Sequence, residues 1–141
     1  MEANLYRVSV KALIQDEAGK ILVVRTGDDR GWTLPGGGMD HGEDIIEGLR
    51  RELQEELGTR QVEIGKSPML IQNSQAEEGS TYAGHWVLRP VYEAQLDSGD
   101  ISLDDAPDGM DYAYIDIKTL DLQDVQPSER PLFSRLRDLG L

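Results

Sequence analysis

The 141-residue chain has no cysteine, which excludes disulfides, thiolate metal ligands and sulfur nucleophiles together. It also has no apolar run near the roughly 20 residues that cross a bilayer, and its first ten residues, MEANLYRVSV, have neither a basic start nor an apolar signal core. A cytoplasmic protein without membrane contact is expected. Basic residues are scarce, 14 against 27 acidic, giving a formal net charge of −13. That field repels phosphate polymers and anionic surfaces, so no nucleic acid polymer is expected as a partner. A small phosphorylated substrate would meet the same field, and an enzyme acting on one needs local countercharge from a metal ion or a few arginines.

Residues 5–14, LYRVSVKALI, mainly alternate and are rich in β-formers, and the turn cluster DEAGK at 16–20 separates them from ILVVR at 21–25. That pattern predicts a hairpin. TGDDRG at 26–31 reads as a loop, WTL at 32–34 as a short extended piece, and PGGG at 35–38 as a backbone that is neither helix nor ordinary strand. A helix is predicted from about Asp44 to Leu57, with Gly58 placed to cap its end. Residues 62–72 hold strand material interrupted at Pro68, 72–81 a polar loop, and 82–96 a long strand with an edge or bulge at Pro90, which has no N–H for a ladder. The acidic, turn-rich stretch 97–111 precedes an alternating strand at 112–117. Ser128 is placed to cap a last helix carrying Leu132, Leu136 and Leu139, stopped by Gly140. No internal repeat or long linker divides the chain, so residues 1–141 are expected to form one mixed α/β (α+β) domain with strands grouped around a central helix.

At about 100° per residue, Leu49, Leu53 and Leu57 share one face of the 44–57 helix with Ile45 and Ile46. Glu52, Glu55 and Glu56 flank that stripe, and Glu56 lies within its border. Glu52 and Glu56 form a like-charge i, i+4 pair, costing about 0.2–0.5 kcal/mol on an isolated helix, and both sit toward its negative end. Folding alone would not choose them, because carboxylates that leave water must be paired, neutralised or bound to metal. Hard oxygen ligands on neighbouring turns suit Mg²⁺, with Mn²⁺ as the alternative. The plainer reading is a solvated glutamate-rich helix. The preceding glycines weigh against it, since they allow a tight backbone to bring a carbonyl to the same metal.

The stretch from Gly37 to Thr59 resembles the Nudix box: glycine, five residues, glutamate, seven residues, then Arg-Glu-aliphatic-x-Glu-Glu-x-Gly-aliphatic. Gly37, Glu43, Arg51, Glu52, Leu53, Glu55, Glu56 and Gly58 all match, while Thr59 stands where the family has an aliphatic residue. Trp32, Leu34, Pro35 and Gly36 also resemble the family's approach to the box. The resemblance implies a Nudix fold, a mixed β-sheet packed between helices with a loop–helix–loop catalytic motif. It further implies a MutT-like hydrolase that cleaves a phosphoanhydride bond in a nucleoside diphosphate linked to another group X, by water attack at phosphorus. Carried over by position, Glu52, Glu55 and Glu56 bind metal with the Gly37 carbonyl, Arg51 orients Glu52, and Glu43 pairs with Arg51; Glu43, Gly38 and Gly58 are structural parts of the motif. The general base is Glu52 or an acid from a later loop, among which Glu77, Glu78, Asp104, Asp105, Asp108 and Asp111 are in reach. The alternative is a non-catalytic Nudix-fold nucleotide-binding or sensor domain, but such domains usually show a degraded box, and this one keeps every acidic position. A same-fold isomerase of the isopentenyl diphosphate type needs a cysteine that the chain lacks.

Substrate contacts are less legible. Arg25 ends the second strand, where it meets either a phosphate or a nearby acid. Trp32 and Tyr82 either stack on a base or pack, and His85 and Arg89 share parity on one strand and are expected on one side of it. The expected substrate is a small nucleotide, with nucleoside triphosphate and sugar nucleotide both open. A homodimer is a further expectation, since small members of the family are often dimers.

Overall fold

The computed structural model describes residues 5–26, 31–77, 79–97 and 108–141. Most of the loops read at 26–31 and 97–111 lie outside the described residues, as do Glu78, Asp104 and Asp105. The first two strands are β1 (Tyr6–Ile14) and β2 (Ile21–Thr26). The turn between them forms as the sequence predicts: Asp16 N donates to Lys20 O at 2.9 Å, and the Asp16 carboxylate accepts from Lys20 N at 2.8 Å. The hairpin does not form. Both edges of β1 are already taken, antiparallel by β3 (Gly36–Gly38) and parallel by β6 (Trp86–Leu96), so only a bridge from Gln15 to Ile21 joins it to β2. β2 instead pairs antiparallel with β7 (Met110–Ile115) in a separate two-stranded sheet.

The main sheet is completed along the free edge of β6, which two short strands share. β5 (Leu70–Gln75) covers Trp86–Val91 and β4 (Val62–Ile64) covers Ala94–Leu96, so the interruption at Pro68 lets one segment supply both; β5 also runs into the stretch read as polar loop. β6 is an interior strand, which corrects the edge reading at Pro90. Its ladder to β1 pairs Tyr6–Val8 with Trp86–Leu88, lapses at Arg89 and Pro90, and resumes where Lys11 meets Val91, so the missing N–H coincides with the lapse. The three glycines read as no ordinary strand do form one, for steric reasons set out below.

Helix α1 (Ile45–Leu57) starts where the Asp44 side chain accepts from Glu47 N at 3.1 Å and ends at Gly58, whose φ of 75° suits a residue without a Cβ. Two 3₁₀ turns, Leu122–Asp124 and Pro127–Glu129, lead into α2 (Arg130–Asp138). Ser128 does not cap α2; its N–H donates to Glu77 Oε1 at 2.6 Å and its hydroxyl accepts from Arg89 at 3.1 Å. Leu132 and Leu136 are buried as predicted, together with Phe133, whereas Leu139 is exposed.

Strand alternation divides the interior into two cores. Val10, Ala12 and Ile14 of β1 and Leu22 and Val24 of β2 pack with Leu49, Leu53 and Leu57 of α1. Leu13, Ile21 and Val23 face the other way, into Leu132, Phe133 and Leu136 of α2. The mixed sheet thus lies between two helices, the architecture implied by the box. Among the described residues, no helix is long and apolar enough to cross a membrane.

Candidate active site

The chain enters the site through Leu34–Gly36, where four backbone groups are held. Leu34 N donates to Glu129 Oε1 at 3.0 Å, Lys11 Nζ donates to Leu34 O at 3.2 Å, Ala12 N donates to Pro35 O at 2.9 Å, and Gly36 N donates to Glu56 Oε2 at 3.2 Å. Behind this run lies a buried ion pair, Lys11 Nζ to Glu129 Oε2 at 3.0 Å, with side chains 8% and 2% exposed. Arg89 adds a second cation: its Nε is 3.8 Å from Glu129 Oε2 and its other nitrogens donate to Ser74 Oγ and Ser128 Oγ at 2.6 and 3.1 Å. Burial pulls the Arg89 pKa below the usual arginine value, against the charge of Glu129.

Each of the three glycines of β3 makes room for a different neighbour. A Cβ at Gly36, where φ is 134°, would lie 2.0 Å from Val10 O. At Gly37 it would lie 2.4 Å from Glu52 Oε2, and at Gly38 1.9 Å from Arg7 Nη2. Gly36 therefore faces backbone, which cannot yield, while Gly37 faces the end of a side chain. Gly36→Ala should destabilise the fold by more than about 2 kcal/mol, and Gly37→Ala should melt within about 2 °C of wild type. Equal losses in thermal melts would contradict this division.

From α1, Arg51 gathers the acids of the motif. It grips Glu43 with two bonds of 2.8 and 2.9 Å, donates through Nη1 to Glu52 Oε1 at 3.0 Å and Glu55 Oε1 at 3.2 Å, and reaches Gly38 O at 3.1 Å. The hydrogen bonds from Arg51 hold Glu43 at a pKa of about 2, and those to Glu43 raise Arg51 above its ordinary value. Desolvation acts oppositely on the next two acids. It raises Glu52, against Arg51, and pushes Glu56 up to about 7, with the charges of Lys11 and the Gly36 N–H opposing and that of Glu52 assisting. The Tyr112 hydroxyl donates to Glu56 O, anchoring this turn of α1 from β7. Among the described residues no three carboxylate or imidazole groups form a ready-made metal cage, and the Arg51 guanidinium stands between Glu52 and Glu55.

The substrate candidates scatter. Arg25 pairs with Asp111 at 3.2 Å, lies 4.1 Å from the Trp32 ring centroid and lines a small pocket together with Glu56. Tyr82 is exposed and stacks under Arg7 at 4.7 Å. His85 precedes β6 and is exposed, its Nδ1 3.1 Å from Tyr82 O, whereas Arg89 is buried within β6, so strand parity does not relate the two. Of the described loop acids, Glu77 is tied to Ser128 N and Asp111 to Arg25, and Asp108 is exposed. Sequence reading passed over Lys11, Glu129 and Arg7. Lone charged residues in strands and loops carry no mark of burial, and only their partners, distant in sequence, reveal it.

Comparison with known proteins bears on this arrangement. The family model described as NUDIX domain matches residues 5–136. The nucleoside triphosphatase NudI of Salmonella newport (strain SL254) is 31% identical over 134 residues, which cover 88% of this chain and 92% of that protein. Among solved structures, the MutT protein from Methanosarcina mazei Go1 superimposes with a TM-score of 0.72 at 24% identity, covering 99% of both chains. A NUDIX hydrolase from Nitrosomonas europaea gives 0.71 at 19% identity, covering 96% of this chain and 90% of its own.

Proposed function

This chain belongs to the Nudix hydrolase family, and from that premise we propose that it hydrolyses a nucleoside triphosphate, or another nucleoside diphosphate linked to a group X, releasing the nucleoside monophosphate. The observation that carries the reading is the pair of desolvated carboxylates, Glu52 and Glu56, set against the glycine strand that the buried polar network holds in place. The triphosphate is favoured by the name of the Salmonella relative.

The donor set fits a hard dication. Glu52, Glu55 and Glu56 offer carboxylate oxygens, the Gly37 carbonyl is carried over as a further donor from the box, and desolvation has already raised the cost of leaving Glu52 and Glu56 charged without a cation. Mg²⁺ is proposed, and Mn²⁺ satisfies the same donors. When bound, the ion neutralises phosphate charge and lowers the pKa of a coordinated water. Arg51 holds Glu52 in place and is itself held by Glu43. Glu52 is assigned as the group that takes the proton from the attacking water, because its pKa is raised and the described loop acids Glu77 and Asp111 have other partners. A cytoplasmic enzyme acting on a small nucleotide, not on a polymer or a membrane, is consistent with the charge of −13. A homodimer is carried forward as the assembly that sedimentation would test.

Turnover should need Mg²⁺ or Mn²⁺, cease in excess EDTA, and yield a nucleoside monophosphate. The metal should also raise the melting temperature, since it binds the folded cluster and not the unfolded chain. Full activity in EDTA, or release of a free base, would overturn the reading.

A further inference from the structure

Strand β3 separates two faces of the site. Gly37 faces α1 and Glu52, whereas Gly38 faces Arg7. Arg7, Ser9 and Lys11 share one parity on β1, opposite to Val10 and Ala12 under α1, and together with Gly38, Tyr82 and Arg89 they line a pocket of about 250 Å³. That volume is below the roughly 300–1,000 Å³ of a whole small-molecule site, so it takes one end of a ligand. A substrate whose phosphates lie at Glu52 and Glu56 reaches it by crossing the edge of a three-residue strand.

Within this pocket Arg7 is the cation left free. Lys11 is paired with Glu129, and Arg89 is held by Ser74, Ser128 and Glu129. Among the described residues Arg7 donates only through Nη1, to Met39 O at 3.1 Å, and no carboxylate lies within 4.0 Å of it. In a chain with almost two acids per base, an arginine left unpaired in a pocket whose described acids, Glu77 and Glu129, bond to other groups is unusual. Its Nε and Nη2 remain as donors, and the Tyr82 ring steadies the guanidinium.

Resting on the hydrolase reading above, we infer that Arg7 determines base selectivity: it donates to a ring carbonyl oxygen of the nucleobase, with Tyr82 holding it in position. Uracil, thymine, cytosine and guanine present such an oxygen and adenine does not, so nucleotides of the first four are preferred. A site built to hydrogen-bond one group rejects the analogue lacking it.

Calorimetric titration of the full chain in EDTA with UMP and AMP tests this, alongside inorganic pyrophosphate with Mg²⁺ as a ligand without a base. Wild type should bind UMP about tenfold more tightly than AMP. Arg7→Met should erase that difference by weakening UMP, Tyr82→Ala should reduce it, and Tyr82→Phe, which keeps the ring, should retain it. Pyrophosphate should bind all four proteins within about twofold. Equal affinities for UMP and AMP in wild type would overturn the inference, as would discrimination that survives in Arg7→Met or a parallel loss of pyrophosphate binding there, which would make Arg7 a phosphate contact. Selective UMP binding by a protein that turns over no phosphoanhydride would sink the hydrolase reading and leave this one standing.

Discussion

Glu56→Gln should lower turnover by at least about 10²-fold while leaving the metal-free fold as stable as wild type or more so. The substitution keeps size and an acceptor for Gly36 N but removes a charge that the proposed metal requires. Metal ligation supplies several kcal/mol of transition-state stabilisation, and each 1.36 kcal/mol is tenfold in rate. Stability responds in the opposite sense. The folded-state pKa of Glu56, about 7, lies above its ordinary 4.5, so between those values the folded chain holds a proton that the unfolded chain has lost. Metal-free wild type should therefore lose stability as pH rises from 4.5 to 7, by up to about 3 kcal/mol from this group. Glu43 does not confuse the measurement, since its lowered pKa of about 2 places its loss of stability below pH 4.5. Melts in EDTA across this range should show a falling slope in wild type that becomes shallower in Glu56→Gln, the raised pKa of Glu52 leaving a residual fall of the same sign. A variant that melts several degrees lower yet turns over normally would make Glu56 part of the scaffold.

The parts of this molecule that were legible in its sequence are those whose physics is local. Helix α1 announces itself through 3.6-residue periodicity and a terminal glycine, and both appear where the spacing puts them, with Asp44 one residue outside the helix as its N-cap. The resemblance to the Nudix box implies the pairing of Arg51 with Glu43 and Glu52, whereas its bond to Glu55, a residue read only as a metal ligand, is not among its implications. What was not legible depends on competition between distant segments. The hairpin failed because β3 and β6 claim both edges of β1, and neither is visible from residues 5–25. The glycine run became a strand because its glycines answer close neighbours, Val10 O, Glu52 and Arg7, and not a demand for a turn. The sequence leaves Arg25 between a phosphate and a nearby acid, and the β2–β7 pairing identifies the acid as Asp111.

The same reasoning predicts the largest structural effect at a residue outside the box. Glu129→Gln should destabilise the fold by about 3–5 kcal/mol, a fall in Tm of about 10–20 °C. Glutamine still offers an acceptor to Leu34 N, so the loss comes from leaving Lys11, at 3.0 Å, and Arg89, at 3.8 Å, buried without their shared counter-charge. Desolvation makes this costly: a lone buried charge forfeits hydration without Coulombic return. Removing both charges, in Lys11→Met with Glu129→Gln, should recover part of the loss, giving a positive coupling in the double-mutant cycle. Turnover should also respond, because Lys11 and Glu129 hold both polar groups of Leu34, three residues before Gly37. At a temperature where Glu129→Gln is still folded, its turnover per folded molecule should fall about tenfold, far less than for Glu56→Gln, since the loop is loosened and no proposed ligand is lost. Additive melting losses in the double variant would show that the two side chains act independently, and the buried pair would then not be what fixes the approach to the box.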